Sequence, residues 1–235
     1  MLFDPPLIPA RLIRRYKRFL ADVTLEDGRE VTAHCANPGA MLGVSPPDAK
    51  VWLQPNDNPN RKLKFSWQLL EVDGGMVGID TSLPNKLVAE ALADDRIPEL
   101  SGYNTIRPEV RYSDNSRIDF LMTSPTKPDC YVEVKNVHFR RTGSLAEFPD
   151  CVTKRGAKHL HDLSAMVAAG HRAVMLYVVQ RDDCTSFTLA DDYDPSYAAA
   201  YRAAYSTGVE TLCYGTNIST LGIDVADRLP VEISG

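Results

Sequence analysis

A chain of 235 residues with 44% hydrophobic and 24% charged residues has an average globular composition, which excludes a disordered or fibrous protein. Its net charge of −5 argues weakly against a nucleic-acid partner, although local clusters of cations count for more than the sum. Five scattered cysteines, odd in number and without a C-x-x-C pair, indicate neither a disulfide framework nor a structural zinc site.

The opening "MLFDPPLIPARL" carries an acid and three prolines within nine residues, so it is not an apolar signal-peptide core. No apolar run approaches a membrane span, and a cytoplasmic location away from membranes is the expectation. From Arg11 to about Asp80 the apolar runs are short and separated by turn chemistry: Asp27-Gly28, "SPPD" at 45–48, "PNDNPN" at 55–60 and Asp73-Gly74-Gly75. Such punctuation predicts a small β-barrel or sandwich. Within it, "RLIRRYKRF" sets Arg11, Arg14, Arg15, Lys17 and Arg18 beside Tyr16 and Phe19, and "RKLKFSW" repeats the mixture with Arg61, Lys62 and Lys64. Cations for phosphates interleaved with rings for bases suit an oligonucleotide-binding barrel, against the plainer reading of basic solvated strand faces.

The pattern changes near residues 80–84, which divides the chain into domains of 1–82 and 83–235. "NKLVAEALAD" (85–94) has helical spacing, with Asn85 as N-cap. Strand-like runs follow at 105–112, 117–123 and 130–139, then a helix from Thr153 to Gly170, then the continuous apolar run "AVMLYVVQ" (173–180), which suits a central strand. A right-handed crossover through that helix would make 131–137 and 173–180 parallel neighbours in a mixed sheet, an α/β domain within a chain that is α+β overall. The tyrosine stripe Tyr197, Tyr201, Tyr205 in "SYAAAYRAAYS" reads as core packing.

"RIDFLMTSPTKPDCYVEVKN" (117–136) threads charges through this sheet. Alternation puts Glu133 and Lys135 on one face with Tyr131, and it sets Arg117 and Asp119 opposite an apolar face of Ile118, Phe120 and Met122. An acid in one strand and E-x-K in the next, on an α-β-β-β-α-β framework, is the arrangement of the PD-(D/E)xK nuclease superfamily. Phosphodiester hydrolysis needs a divalent ion on hard oxygen ligands and neutralisation of developing charge. Asp119 and Glu133 would ligate Mg²⁺ or Mn²⁺, with the Val134 carbonyl as a further ligand, Glu90 as an outer metal contact and Lys135 orienting the attacking water. The tripeptide alone carries nothing, since Asp48-Ala49-Lys50 has the same form in a turn. The plain alternative is a cross-strand pair such as Glu133 with Arg117, worth ~0.2–1 kcal/mol. Lys154, Arg155, Lys158 and His159 in "TKRGAKHL" would crowd the phosphate side.

Taken together, "HCANPGAM" (34–41), "PNKLVAEAL" (84–92), "RIDF" (117–120), "YVEVKNV" (131–137) and "TKRGAKHL" (153–160) resemble the sugar fermentation stimulation protein A family of bacterial DNA-binding proteins. The resemblance spans nearly the whole chain. It implies an OB-like domain followed by a PD-(D/E)xK nuclease-like domain, DNA binding, and a link to regulation of sugar, notably maltose, metabolism genes. Three functions compete: a Mg²⁺-dependent nuclease, a DNA-binding regulator that keeps the scaffold as a phosphate clamp, and a metabolite sensor. An intact acid-acid-lysine set favours the first, because pure binding of a polyanion gains nothing from two carboxylates. No helix-turn-helix is apparent.

Overall fold

The computed structural model describes residues 1–113 and 116–233. Strand β1 (Ile8–Tyr16) buries Ala10 and Leu12 and turns Arg11 and Ile13 outward, as a pleated strand on one core must. It turns into β2 (Leu20–Leu25) through the three residues Lys17, Arg18 and Phe19, the first two with positive φ of 47° and 62°. β3 (Glu30–Cys35), β4 (Lys50–Pro55) and β5 (Phe65–Val72) follow, and β6 (Gly75–Gly78) folds back on β5. β1 pairs with both β2 and β4, β4 with β5, and β5 meets β3 in parallel through His34–Ser66 and Cys35–Trp67. That last pairing closes a five-stranded OB barrel around Val23, Ala33, Leu53 and Trp67.

Helix α1 (Leu83–Ala93) opens the second unit and packs Leu83, Leu87, Val88 and Ala91 on the sheet. Antiparallel strands β7 (Thr105–Ser113), β8 (Ser116–Ser124) and β9 (Lys127–Val137) come next. Short strands β10 (Phe139–Arg140) and β11 (Leu145–Phe148) precede helix α2 (Lys154–Ala168) and β12 (Arg172–Val179). β13 (Ser186–Leu189) joins β10 and β11 in a small side sheet, and α3 (Pro195–Ser206), β14 (Glu210–Ile218) and β15 (Ile223–Arg228) complete the chain. The main sheet runs β15-β14-β12-β9-β8-β7, with β12 parallel to β9 and β14. The expected parallel crossover from β9 through α2 to β12 is therefore present. α1 covers one face of the sheet, and α2 and α3 cover the other. On α3, Tyr197 and Tyr201 are buried as expected, while Tyr205 lies exposed and stacked on Tyr201. Among the described residues no helix is long and apolar enough to cross a membrane.

Two sequence expectations fail locally. Asn85 is not the N-cap: α1 begins two residues earlier, because Pro84 suits a first turn whose N–H groups need no helical partner. Ile118 does not share the Phe120 and Met122 face but packs with Leu121 under α2, because β8 twists away from β9 beyond Phe120.

The barrel is bonded directly to the second unit. Gly78 N–H donates to the Gln180 carbonyl at 2.9 Å, and Met41 N–H to Asp150 at 3.0 Å. Arg140 pairs with Asp73 at 2.7 Å, and Leu2 bridges Gly222. Just before α1, Thr81 N–H donates to the Ala36 carbonyl at 3.0 Å, which sets the end of β3 beside the start of that helix.

Candidate metal centre and its cleft

The last register pair between β8 and β9 before the strands part is Phe120–Val132. Beyond it Asp119 replaces the missing strand bonds. One carboxylate oxygen accepts the Val134 N–H at 2.7 Å, and the other accepts the Asn85 amide from α1 at 2.7 Å. The parting strands open a cleft of about 510 Å³ at the sheet's end, between the starts of α1 and α2. Asp119, Glu133, Lys135, Arg155 and His159 all line it. Lys135 Nζ donates to Glu133 Oε1 at 2.6 Å, and His159 Nδ1 contacts the same oxygen. Gly156, in the first turn of α2, lets that helix approach: an added Cβ would lie 3.0 Å from the Tyr197 ring. His159, one turn later, lies against Glu133.

Glu133 is 3% exposed, and its Oε2 has no hydrogen-bond partner among the described residues. A buried carboxylate oxygen without a partner is costly, so it marks a place where a cation or water completes the site. Burial pushes the Asp119 carboxyl up to about 6, with the neighbouring Glu133 charge adding to the rise and the Val134 and Asn85 bonds opposing it. Burial also opposes ionisation of Glu133, but the His159 bond and the Lys135 charge hold its carboxyl below the ordinary value. Two neighbouring acids are thus driven apart in proton affinity, a pattern common at functional sites. Among the described residues no three His, Cys, Asp or Glu side chains converge as a complete ligand set. Mg²⁺ fits two carboxylates all the same, because it dehydrates reluctantly and keeps several waters.

Residues 82–222 match the family profile described as "Sugar fermentation stimulation protein RE domain", and residues 13–79 that described as "SfsA N-terminal OB domain". A curated "Sugar fermentation stimulation protein homolog" of Dinoroseobacter shibae is 62% identical over 234 residues, covering 99% of this chain and 96% of the relative. The chain belongs to the sugar fermentation stimulation protein family. A second homolog, from Roseobacter denitrificans, is 59% identical over 235 residues and covers 99% of this chain and 100% of its own. A solved structure described as Pyrococcus furiosus SfsA in complex with Ca²⁺ superposes with a TM-score of 0.88 at 28% identity, covering 99% of this chain and 100% of that one.

In this member of the sugar fermentation stimulation protein family the remaining predicted residues are dispersed. Glu90 is not near the cleft: it lies exposed on α1, paired with the Met1 amino group at 2.7 Å. His159 does not face solvent as a phosphate contact; it is buried against Glu133. Lys158 turns the other way, to Asp162 and Ser116 at 2.6 and 2.7 Å, and Lys154 lies outside the cleft. No ion pair joins Glu133 to Arg117 among the described residues, and Arg117 sits opposite Arg111 in the register. On the barrel, Arg14 pairs with Asp22 at 2.9 Å, and Arg11 donates to the Asp48 carbonyl at 2.9 Å. Arg15 holds the Asn37 and Gly39 carbonyls at 2.8 and 2.9 Å, which makes it a clamp on the 36–41 loop. Lys17 and Arg18 project from the β1–β2 turn, Lys62 is exposed, Lys64 donates to the Asn58 carbonyl, and Arg61 lines a groove beside α1.

Three cleft residues escaped the sequence reading: Asn85, Lys86 and Glu109. Glu109 lies between the register pairs Pro108–Phe120 and Val110–Ile118, opposite Asp119, with a φ of 55°. A left-handed glutamate inside a strand is uncommon and would have been the signal, but φ is invisible in a sequence.

Proposed function

We propose that this chain is a DNA-binding protein whose second domain holds a divalent cation and hydrolyses phosphodiesters in the manner of PD-(D/E)xK nucleases. The observation that carries the reading is the unpartnered, buried Glu133 Oε2 beside a second carboxylate. Asp119 and Glu133 would hold Mg²⁺ or Mn²⁺, with the Val134 carbonyl and Glu109 on the same cleft as further oxygen donors. When bound, such an ion supplies positive charge at a phosphate and an acidified water. The description of the Pyrococcus relative in complex with Ca²⁺ supports a hard cation on oxygen ligands here too.

The chain's own groups account for the rest. His159 fixes the orientation of Glu133 so that Oε1 is engaged and Oε2 is left for the ion. Lys135, at 2.6 Å from Oε1, orients the attacking water and offsets charge on the phosphorane. Arg155 and Lys86, on opposite walls of the cleft, neutralise the flanking phosphates. Asp119, whose carboxyl burial pushes up to about 6, would have to be deprotonated to hold a cation.

The test is incubation of the purified protein with single- and double-stranded DNA, with and without Mg²⁺ or Mn²⁺, beside Asp119→Ala. Metal-dependent cleavage lost in the variant supports the reading. Metal bound without cleavage of any DNA form supports a second reading, a cytoplasmic DNA-binding regulator of sugar metabolism in which the site clamps phosphate. The OB barrel, a fold that binds oligonucleotides without cutting them, favours that reading. No metal binding at millimolar concentration would end both.

A further inference from the structure

We propose that a single-stranded polynucleotide lies in a groove on the outer face of the barrel and enters the carboxylate cleft past Lys86. The inference rests on the nucleic-acid reading above and adds to it the strandedness and the path.

The groove encloses about 460 Å³ between β3, the β4–β5 side of the barrel and the start of α1. Ser82 and Lys86 line both this groove and the carboxylate cleft, so the two spaces are contiguous. Three kinds of chemistry converge along it. The first is a ring platform: Phe19, 45% exposed in the β1–β2 turn, stacks on His34 at 6.4 Å with ring planes 21° apart, and His34 lines the groove. The second is an unsatisfied amide. Gln68 is 5% exposed, its Nε2 reaches Gln54 Oε1 at 3.4 Å, and its Oε1 has no partner among the described residues. Rotation about the last side-chain bond presents this amide to a base edge. The third is positive charge at either end, Arg61 on the β4–β5 loop and Lys86 on α1.

This combination selects an unpaired strand. A duplex hides the faces that would stack on Phe19 and the edges that would meet Gln68, whereas a single strand offers both. A β1–β2 turn, a β3 face and a β4–β5 loop are also where OB barrels take oligonucleotides. Two acids line the groove as well. Both Asp4 and Asp80 oppose a polyanion there, Asp80 with one carboxylate oxygen engaged by the Ser82 N–H and hydroxyl at 2.8 and 2.7 Å. The basic stretch at 11–15, by contrast, is bonded to the barrel's own oxygens.

Fluorescence anisotropy in EDTA tests this without any metal, using labelled oligothymidylate, oligouridylate, an abasic oligodeoxyribose phosphate and a short duplex. Phe19→Ala should weaken oligothymidylate binding about tenfold and leave the abasic strand unaffected, since stacking needs a base. Arg61→Ala and Lys86→Ala should each weaken every single strand and flatten its salt dependence, and Asp4→Asn should strengthen binding. The ratio of oligothymidylate to oligouridylate affinity assigns DNA or RNA as the source of the strand. Circular dichroism confirms that each variant is folded. Duplex binding as tight as single-strand binding, or Phe19→Ala and Lys86→Ala both within about twofold of wild type, would overturn the proposal. A metal titration followed separately by calorimetry tells its failure from failure of the metal-site reading.

Discussion

Asp119→Asn should stabilise the metal-free protein while removing its response to metal. In the fold the Asp119 carboxyl is carried from 3.8 to about 6, chiefly by burial. At ~1.4 kcal/mol per pH unit this amounts to about 3 kcal/mol. Between those pH values the folded state binds more protons than the unfolded one, so stability falls as pH rises through that window. The cost is absent below about pH 4 and complete above about pH 6. Asparagine carries no charge, but it keeps only one acceptor oxygen for the two donors, Val134 N–H and the Asn85 amide, that Asp119 now satisfies. Losing one such bond costs ~1 kcal/mol, so the net gain at neutral pH should be about 2 kcal/mol. At pH 4 the variant should be no more stable than wild type. The assay is urea unfolding in EDTA across pH 4–8, repeated with Mn²⁺. Ligand at about a hundred times its dissociation constant should stabilise wild type by ~2.7 kcal/mol and the variant by nothing. A variant less stable than wild type at neutral pH in EDTA, or a difference that does not change with pH, would refute the reasoning.

Mn²⁺ affinity of the wild type, read by calorimetry, should fall about tenfold per pH unit below pH 6 and level off above it, because the ion must displace the Asp119 proton. Lys135→Ala should keep metal binding yet slow DNA cleavage about a hundredfold, a loss of ~3 kcal/mol that single-turnover assays would read; unchanged cleavage would remove Lys135 from the chemistry. His159→Ala should lower metal affinity about tenfold or more by freeing Glu133 to turn, with the smaller effect for His159→Gln. Glu90→Gln should leave metal affinity unchanged and cost at most ~1 kcal/mol through its surface pair with the Met1 amino group, measured by thermal melting.

Much of the architecture follows from local pattern. Short apolar runs broken by Asp-Gly and proline turns demand a small barrel, and the unbroken apolar run of β12 demands a strand covered on both faces. Strand alternation was enough to put Glu133 and Lys135 on one side, and an acid before a second acid and lysine in consecutive strands already pointed to Asp119. What alternation could not supply is the parting of β8 from β9, which depends on neighbours distant in sequence and which turns Ile118 to the opposite core. Helix rotation was equally hidden. Successive helical residues point about 100° apart, so the packing of α1 decides that Asn85 and Lys86 meet the cleft while Glu90 points to the amino terminus. The same arithmetic on α2 sends His159 to Glu133 and Lys158 to Asp162. A count of cations on β1 likewise says nothing of which guanidinium is already bonded to a carbonyl, because a partner such as Gly39 is brought to Arg15 only when the loop after β3 folds over the barrel. Local pattern settled which elements form and, where strands stay paired, which face a residue takes; the face of Ile118, the rotation of the helices and the partners of long charged side chains were left to the packing of one element on another.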